Sequence, residues 1–175
     1  DDEIGYVHLA SFFGENTAEE MMDEIRSLLD RNMKGFILDL RLNPGGSVDL
    51  AVQVATKFLP AGTPVVHMVD KSGRRVTYYA GPGDKVDVPM VVLVNEASAS
   101  SSEIVAGALK DMGQATIVGV KTFGKGSVQT IYPLSDGSAI SITTHKYLTA
   151  GEHLIDKKGI EPDVVIKLPE EFDDS

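Results

Sequence analysis

Cysteine is missing from all 175 residues of the chain, which excludes disulfide staples, thiolate metal sites and a cysteine nucleophile. The same absence fits a reducing or an oxidising compartment equally, so it does not place the protein in a cell. Basic residues are scarce: 16 Lys and Arg stand against 26 Asp and Glu, for a formal charge of -10. No clustered basic stripe of the kind that tracks a phosphate backbone occurs, and the chain is read as having no nucleic-acid partner. No apolar run approaches the roughly 20 residues needed to span a bilayer, and the first residues lack the basic-then-apolar pattern of a signal peptide. The expectation is a chain without a targeting or membrane-spanning segment. Fixed-period repeats and low-complexity linkers are also lacking, so one domain over residues 1–175 is expected. The acidic ends, residues 1–3 and 169–175, read as solvated tails.

What is present is enough apolar surface for a core, 42% of residues, arranged in an alternating pattern. Thr17 with Glu20 three residues later predicts a capping box and a helix start. Met21, Met22, Ile25, Leu28 and Leu29 then fall on one helical face. The apolar run from Gly35 to Leu42 predicts a buried strand, broken by Asn43-Pro44-Gly45-Gly46 before a helix from Val48 to Leu59. The unit recurs as a strand, Met90 to Asn95, and a helix, Ser102 to Met112, with Gly113 as its C-terminal cap. Apolar strands alternating with helices argue for a parallel sheet. Between the units, residues 63–70 and 75–80 flank Lys71-Ser72-Gly73-Arg74 as a hairpin. After a strand from Ala115 to Val120 comes a glycine-punctuated loop through Gly126. Two β-like stretches, Val128 to Leu134 and Ser138 to Tyr147, then make the last third β-rich.

Chemistry is concentrated in Asn95-Glu96-Ala97-Ser98-Ala99-Ser100-Ser101-Ser102-Glu103, four serines between the end of an apolar strand and the start of a helix. Unpaired N–H groups and the helix dipole would favour an oxyanion there. A serine nucleophile needs a base, and His8, His67, His145 and His153 show no motif tying them to this loop. Lysine can serve when burial without a counter-ion favours its neutral amine. Lys125 fits best, between Gly124 and Gly126, with Gln129 a few residues on to orient its amine. The residues alone leave open a plain N-capping serine run and a surface loop lysine.

The run from Ala97 to Leu109, with Val118 to Gln129, resembles the carboxyl-terminal processing, or tail-specific, serine peptidases. Leu38-Asp39-Leu40-Arg41, Asn43-Pro44-Gly45-Gly46 and the closing Gly159-Ile160-Glu161-Pro162-Asp163 extend the resemblance over almost the whole chain. The pattern departs at Ser101, where alanine is common, and at Ala97, where glycine is common. The resemblance implies Ser100 as nucleophile, with Ser98 and Ser102 as competitors, Lys125 as general base and Gln129 as its orienting partner. It also implies an oxyanion hole made by the N–H of Ser101 with that of Gly45 or Gly46. Glu103 is most simply a carboxylate that offsets the helix dipole.

The implied fold is α/β, a ClpP/crotonase-like core of parallel strands and helices plus a β-rich C-terminal third. The implied activity is cleavage of proteins or peptides with flexible C-termini, without metal or organic cofactor. The family also implies a PDZ domain before this core in the full-length protein, and a location outside the bacterial cytoplasm or in a plastid lumen. Two alternatives remain: a weakly active or inactive peptide-binding module of the same fold, and a crotonase-type acyl-CoA enzyme.

Overall fold

A computed structural model describes residues 3–14, 16–83 and 85–167. The order of elements is β1 (Ile4–His8), α1 (Thr17–Asp30), β2 (Gly35–Asp39), α2 (Val48–Thr56), β3 (Pro64–Asp70), β4 (Arg75–Tyr79), β5 (Met90–Val94), α3 (Ser101–Asp111), β6 (Thr116–Gly119), β7 (Ser127–Pro133), β8 (Ala139–Thr149) and β9 (Val164–Val165). The fold is mixed α/β, as the alternation implies. Of the predicted tails, residues 1, 2 and 169–175 lie outside the described residues. Glu3 is not a loose end, because its carbonyl accepts the Lys34 N–H at 2.8 Å and its carboxylate pairs with the Lys34 amine.

Five strands form one parallel sheet in the order β1-β2-β5-β6-β9. Its inner strands are apolar because helices cover them; Phe36, Leu38, Val92, Val94 and Ile117 are all buried. The other four strands form a separate antiparallel sheet in the order β4-β3-β8-β7. The predicted hairpin is thus not an excursion by itself: it joins the last third of the chain in a second sheet.

Helix α3 is buried along its length from Ser101 to Leu109. It packs against α2 and touches strands of both sheets, β6 on one side and β3 and β8 on the other. Small residues on this helix, Ala106, Gly107 and Ala108, permit that close packing. Helix α1 starts one residue earlier than the capping-box reading places it. Asn16 is its N-cap, and the Thr17 hydroxyl donates to the Gly14 carbonyl at 2.8 Å instead of capping the helix. Among the described residues no helix is long and apolar enough to cross a membrane.

Candidate active site

Three loops meet at the carboxyl ends of the parallel strands. The first follows β2. Asp39 is buried there, accepting the Arg41 guanidinium through a fork of 2.6 and 2.9 Å contacts and the Tyr6 hydroxyl at 2.8 Å. Burial pushes the Asp39 carboxyl up, but the hydrogen bonds from Arg41 and Tyr6 and the guanidinium charge outweigh it and hold it below its ordinary value. Asn43, also fully buried, ties this loop to its neighbours. Its side chain donates to the Leu9 carbonyl at 2.6 Å and accepts the Gly45 N–H at 2.9 Å. Its carbonyl accepts the Ala99 N–H and the Ser102 hydroxyl, each at 3.0 Å.

The second loop carries the serines, and the distances separate them. Ser98 Oγ donates to the Leu40 carbonyl at 2.7 Å, Ser101 Oγ to the Gly46 carbonyl at 2.9 Å, and Ser102 Oγ to the Asn43 carbonyl. All three side chains are buried and spend their protons on structure. Ser100 is half-buried, and among the described residues no acceptor takes its hydroxyl proton. It is the N-cap of α3, with φ 55° and ψ −111°, a backbone conformation that is costly for a residue with a Cβ. Glu103 holds it there: Ser100 N–H donates to Glu103 Oε2 at 2.9 Å, and Glu103 N–H donates back to the Ser100 carbonyl at 2.9 Å.

Gly45 lies against this serine. A Cβ on Gly45 would come within 2.7 Å of the Ala99 carbonyl oxygen and 2.8 Å of Ser100 Cβ, so only glycine fits. The Gly45 N–H is committed to Asn43 Oδ1. The N–H groups of Gly46 and Ser101 find no acceptor among the described residues.

The third loop, between β6 and β7, brings Lys125. Gly126 lets it pass, since a Cβ there would lie 2.1 Å from the Asp156 backbone nitrogen. Glu103 also anchors this loop. Its Oε1 accepts the Thr122 hydroxyl at 2.6 Å and the Gly124 N–H at 2.7 Å, and its Oε2 accepts the Lys125 N–H at 2.8 Å. A single carboxylate oxygen thereby holds the backbone N–H groups of both Ser100 and Lys125. Sequence reasoning gave Glu103 mainly an interaction with the helix dipole, with a catalytic role as a minor alternative. Its other donors come from residues 122–125, a proximity that spacing within the serine run cannot signal.

The Lys125 side chain is exposed and makes no ion pair among the described residues. Gln129 is also exposed, and its side-chain oxygen accepts the Ser141 hydroxyl at 3.3 Å rather than meeting the Lys125 amine. Ser100, Ser101, Gly45, Gly46 and the Lys125 backbone therefore come together, whereas the Gln129 amide stands apart. Two of the four histidines lie elsewhere: His67 is buried in the second sheet between Thr77 Oγ1 at 2.8 Å and the Ala150 carbonyl at 3.3 Å, and His153 stands 3.8 Å from Asp111; His8 ends β1 in register with Asp39. Among the described residues no group of three or more His, Cys, Asp or Glu side chains could hold a metal ion.

Comparison with known proteins gives this arrangement its relatives. The family model for peptidase family S41 matches residues 3–166. A carboxyl-terminal-processing protease of Synechocystis sp. is 43% identical over 95% of this chain and 38% of its own length. The chloroplastic carboxyl-terminal-processing peptidase 3 of Arabidopsis thaliana is 44% identical over 91% of this chain and 31% of its own. The solved structure of a photosystem II D1 C-terminal processing protease superimposes with a TM-score of 0.87 at 40% identity, over 94% of this chain and 42% of that one. The chain thus spans well under half the length of these relatives.

Proposed function

The chain belongs to peptidase family S41, and from that premise we propose that it is the catalytic core of a serine endopeptidase that cuts proteins near flexible C-terminal tails. One observation carries the assignment of the nucleophile: of the four serines at the head of α3, Ser100 alone finds no acceptor for its hydroxyl proton among the described residues. In the proposed reaction Ser100 Oγ attacks the scissile carbonyl carbon and its proton passes to the uncharged Lys125 amine. The oxyanion rests on the N–H groups of Ser101 and Gly46. Gly46 is preferred to Gly45 because the Gly45 N–H already has an acceptor. Lys125 then returns the proton to the departing amine, and water hydrolyses the acyl-enzyme.

The exposed Lys125 side chain assigns part of the work to the substrate. A peptide covering the site excludes water from the amine, and Gln129 orients it once its amide leaves Ser141. Phe13, Leu42 and Phe123, all well exposed, sit on or beside the three loops and suit apolar peptide side chains. The full-length protein, by analogy with its longer relatives, carries further domains, a PDZ domain among them, and works in a bacterial envelope or plastid compartment.

The test is hydrolysis of an unstructured, apolar-tailed peptide by the wild type, Ser100→Ala and Lys125→Ala from neutral to alkaline pH, with circular dichroism to show that each is folded. Cleavage by the wild type alone, rising with pH as one group loses its proton, is the expected result. Cleavage by Ser100→Ala would remove the nucleophile assignment. No cleavage by any of them would favour a peptide-binding module.

A further inference from the structure

The second sheet ends on a strand whose outer side pairs with nothing among the described residues. β7 is bonded to β8 on one side only. The pairing of β8 with β3 stops at Asp70 and His145, so residues 129–133 and 139–143 form a two-stranded ribbon with no third strand among the described residues. The register shows which backbone groups face outward. At the tip, Leu134 N–H donates to the Ser138 carbonyl at 2.8 Å. Counting back along an antiparallel ladder, Tyr132 with Ile140 and Thr130 with Ile142 exchange hydrogen bonds, whereas Gln129, Ile131 and Pro133 turn their backbone groups away from β8. The open edge thus presents an N–H and a C=O at Gln129 and again at Ile131. That is the two-residue spacing at which an extended chain presents its own groups. Pro133 has no N–H and closes the edge.

Edge strands are usually defended by charge, a bulge or a cover. Residues 127–134, Ser-Val-Gln-Thr-Ile-Tyr-Pro-Leu, hold no charged side chain, and Ile131 is 69% exposed. The register shift of β7 falls at Val128 and Gln129, ahead of the open stretch. Two residues of complete edge are too short for a lasting interface with a second copy, but they suit a ligand that must come and go. The position also points to one occupant. β7 begins two residues after Lys125, whose N–H shares Glu103 Oε2 with the N–H of Ser100.

The geometry points to the outer edge of β7 as the docking strand for substrate: an extended, uncharged stretch of peptide bonds to the Gln129 and Ile131 backbone and is led from there to Ser100. The use made of the bound peptide rests on the peptidase reading above, but the binding itself does not require catalysis.

Amide hydrogen exchange on the chain carrying Ser100→Ala, with and without a saturating uncharged peptide rich in alanine and valine, tests this. The Gln129 and Ile131 amides should slow about tenfold, while Thr130 and Tyr132, already in the ladder, should not change. Ile131→Pro removes one outward N–H and no bond to β8, and should weaken peptide binding about tenfold. Should that variant fail to fold, peptides N-methylated at single positions should bind more weakly at every second residue. Exchange at Gln129 and Ile131 unchanged by bound peptide, an N-methyl scan without alternation, or no peptide binding at all would overturn the proposal. So would protection of these two amides that depends on protein concentration without peptide, which would make a second copy the occupant. Edge binding by a wild type that does not cleave supports the docking strand and sinks the peptidase reading; cleavage without edge protection does the reverse.

Discussion

Glu103 carries four donors from two loops on one fully buried carboxylate, and each donor is neutral. Replacing it with glutamine sets an NH2 group against N–H or O–H donors and strands at least one of them. With a cost of about 1–3 kcal/mol for each stranded donor, Glu103→Gln should lose about 3 kcal/mol and roughly 5–10 °C in Tm. Peptide hydrolysis should fall further than stability explains, because Ser100 and Lys125 lose a common anchor. An unchanged melting curve in scanning calorimetry would contradict the bonding described. The serine run, the lysine loop and the glycine pair were legible at this scale, because each is a local pattern of unusual residues. The choice of Ser100 over Ser98 and Ser102 rested on resemblance rather than on residue chemistry, since the acceptors of Ser98, Ser101 and Ser102, which are Leu40, Gly46 and Asn43, lie more than fifty residues away in the chain. Burial of Lys125 was an expectation drawn from what a lysine base needs, and its loop leaves the side chain in solvent.

The predicted helices and strands agree with the observed ones to within a few residues wherever periodicity was strong, as at Met90–Val94 and Ser101–Asp111. Agreement is poorest where side chains compete with the backbone. Thr17 looked like a cap but spends its hydroxyl on Gly14, and β9 is two residues long and carries no period of its own. The β6–β7 loop owes its path to one close approach. Gly126→Ala would put a methyl group 2.1 Å from the Asp156 nitrogen, so the loop must move. The variant should lose about 1–3 kcal/mol in urea unfolding. It should lose nearly all hydrolysis, since the displaced backbone includes Lys125. Retained activity would show that the loop position does not govern the base.

Across the whole molecule, the parallel sheet followed from alternating strands and helices, but the union of β4, β3, β8 and β7 in one sheet did not. Its pairings join residues some eighty positions apart, and no local signal encodes them. Tyr147 lies inside this sheet's packing, where burial, with a smaller contribution from Tyr78, pushes its phenol up from 10.0 to about 12. The folded state therefore holds the neutral phenol while the unfolded chain ionises. This contribution to stability is complete below pH 10 and is lost as pH rises from 10 to about 12, on the order of 2–3 kcal/mol in all. Tyr147→Phe should flatten that part of the alkaline unfolding curve, measured by denaturant titration at pH 9 to 12.

The burial of α3 also sets an order of events while the chain is being made. The helix that begins at Ser100 leaves the ribosome without the β8 strand that covers it, and without Ile160, whose N–H holds the Thr122 hydroxyl that in turn binds Glu103. At about 5–20 residues per second, those partners follow several seconds later. Until they arrive this deeply buried helix is covered only on the side of α2 and β3, which leaves a surface for chaperones, and its serine has no anchored partner loop. On the proposed reading, the enzyme is silent until residue 160 has emerged, while its own unfolded chain most closely resembles its substrates.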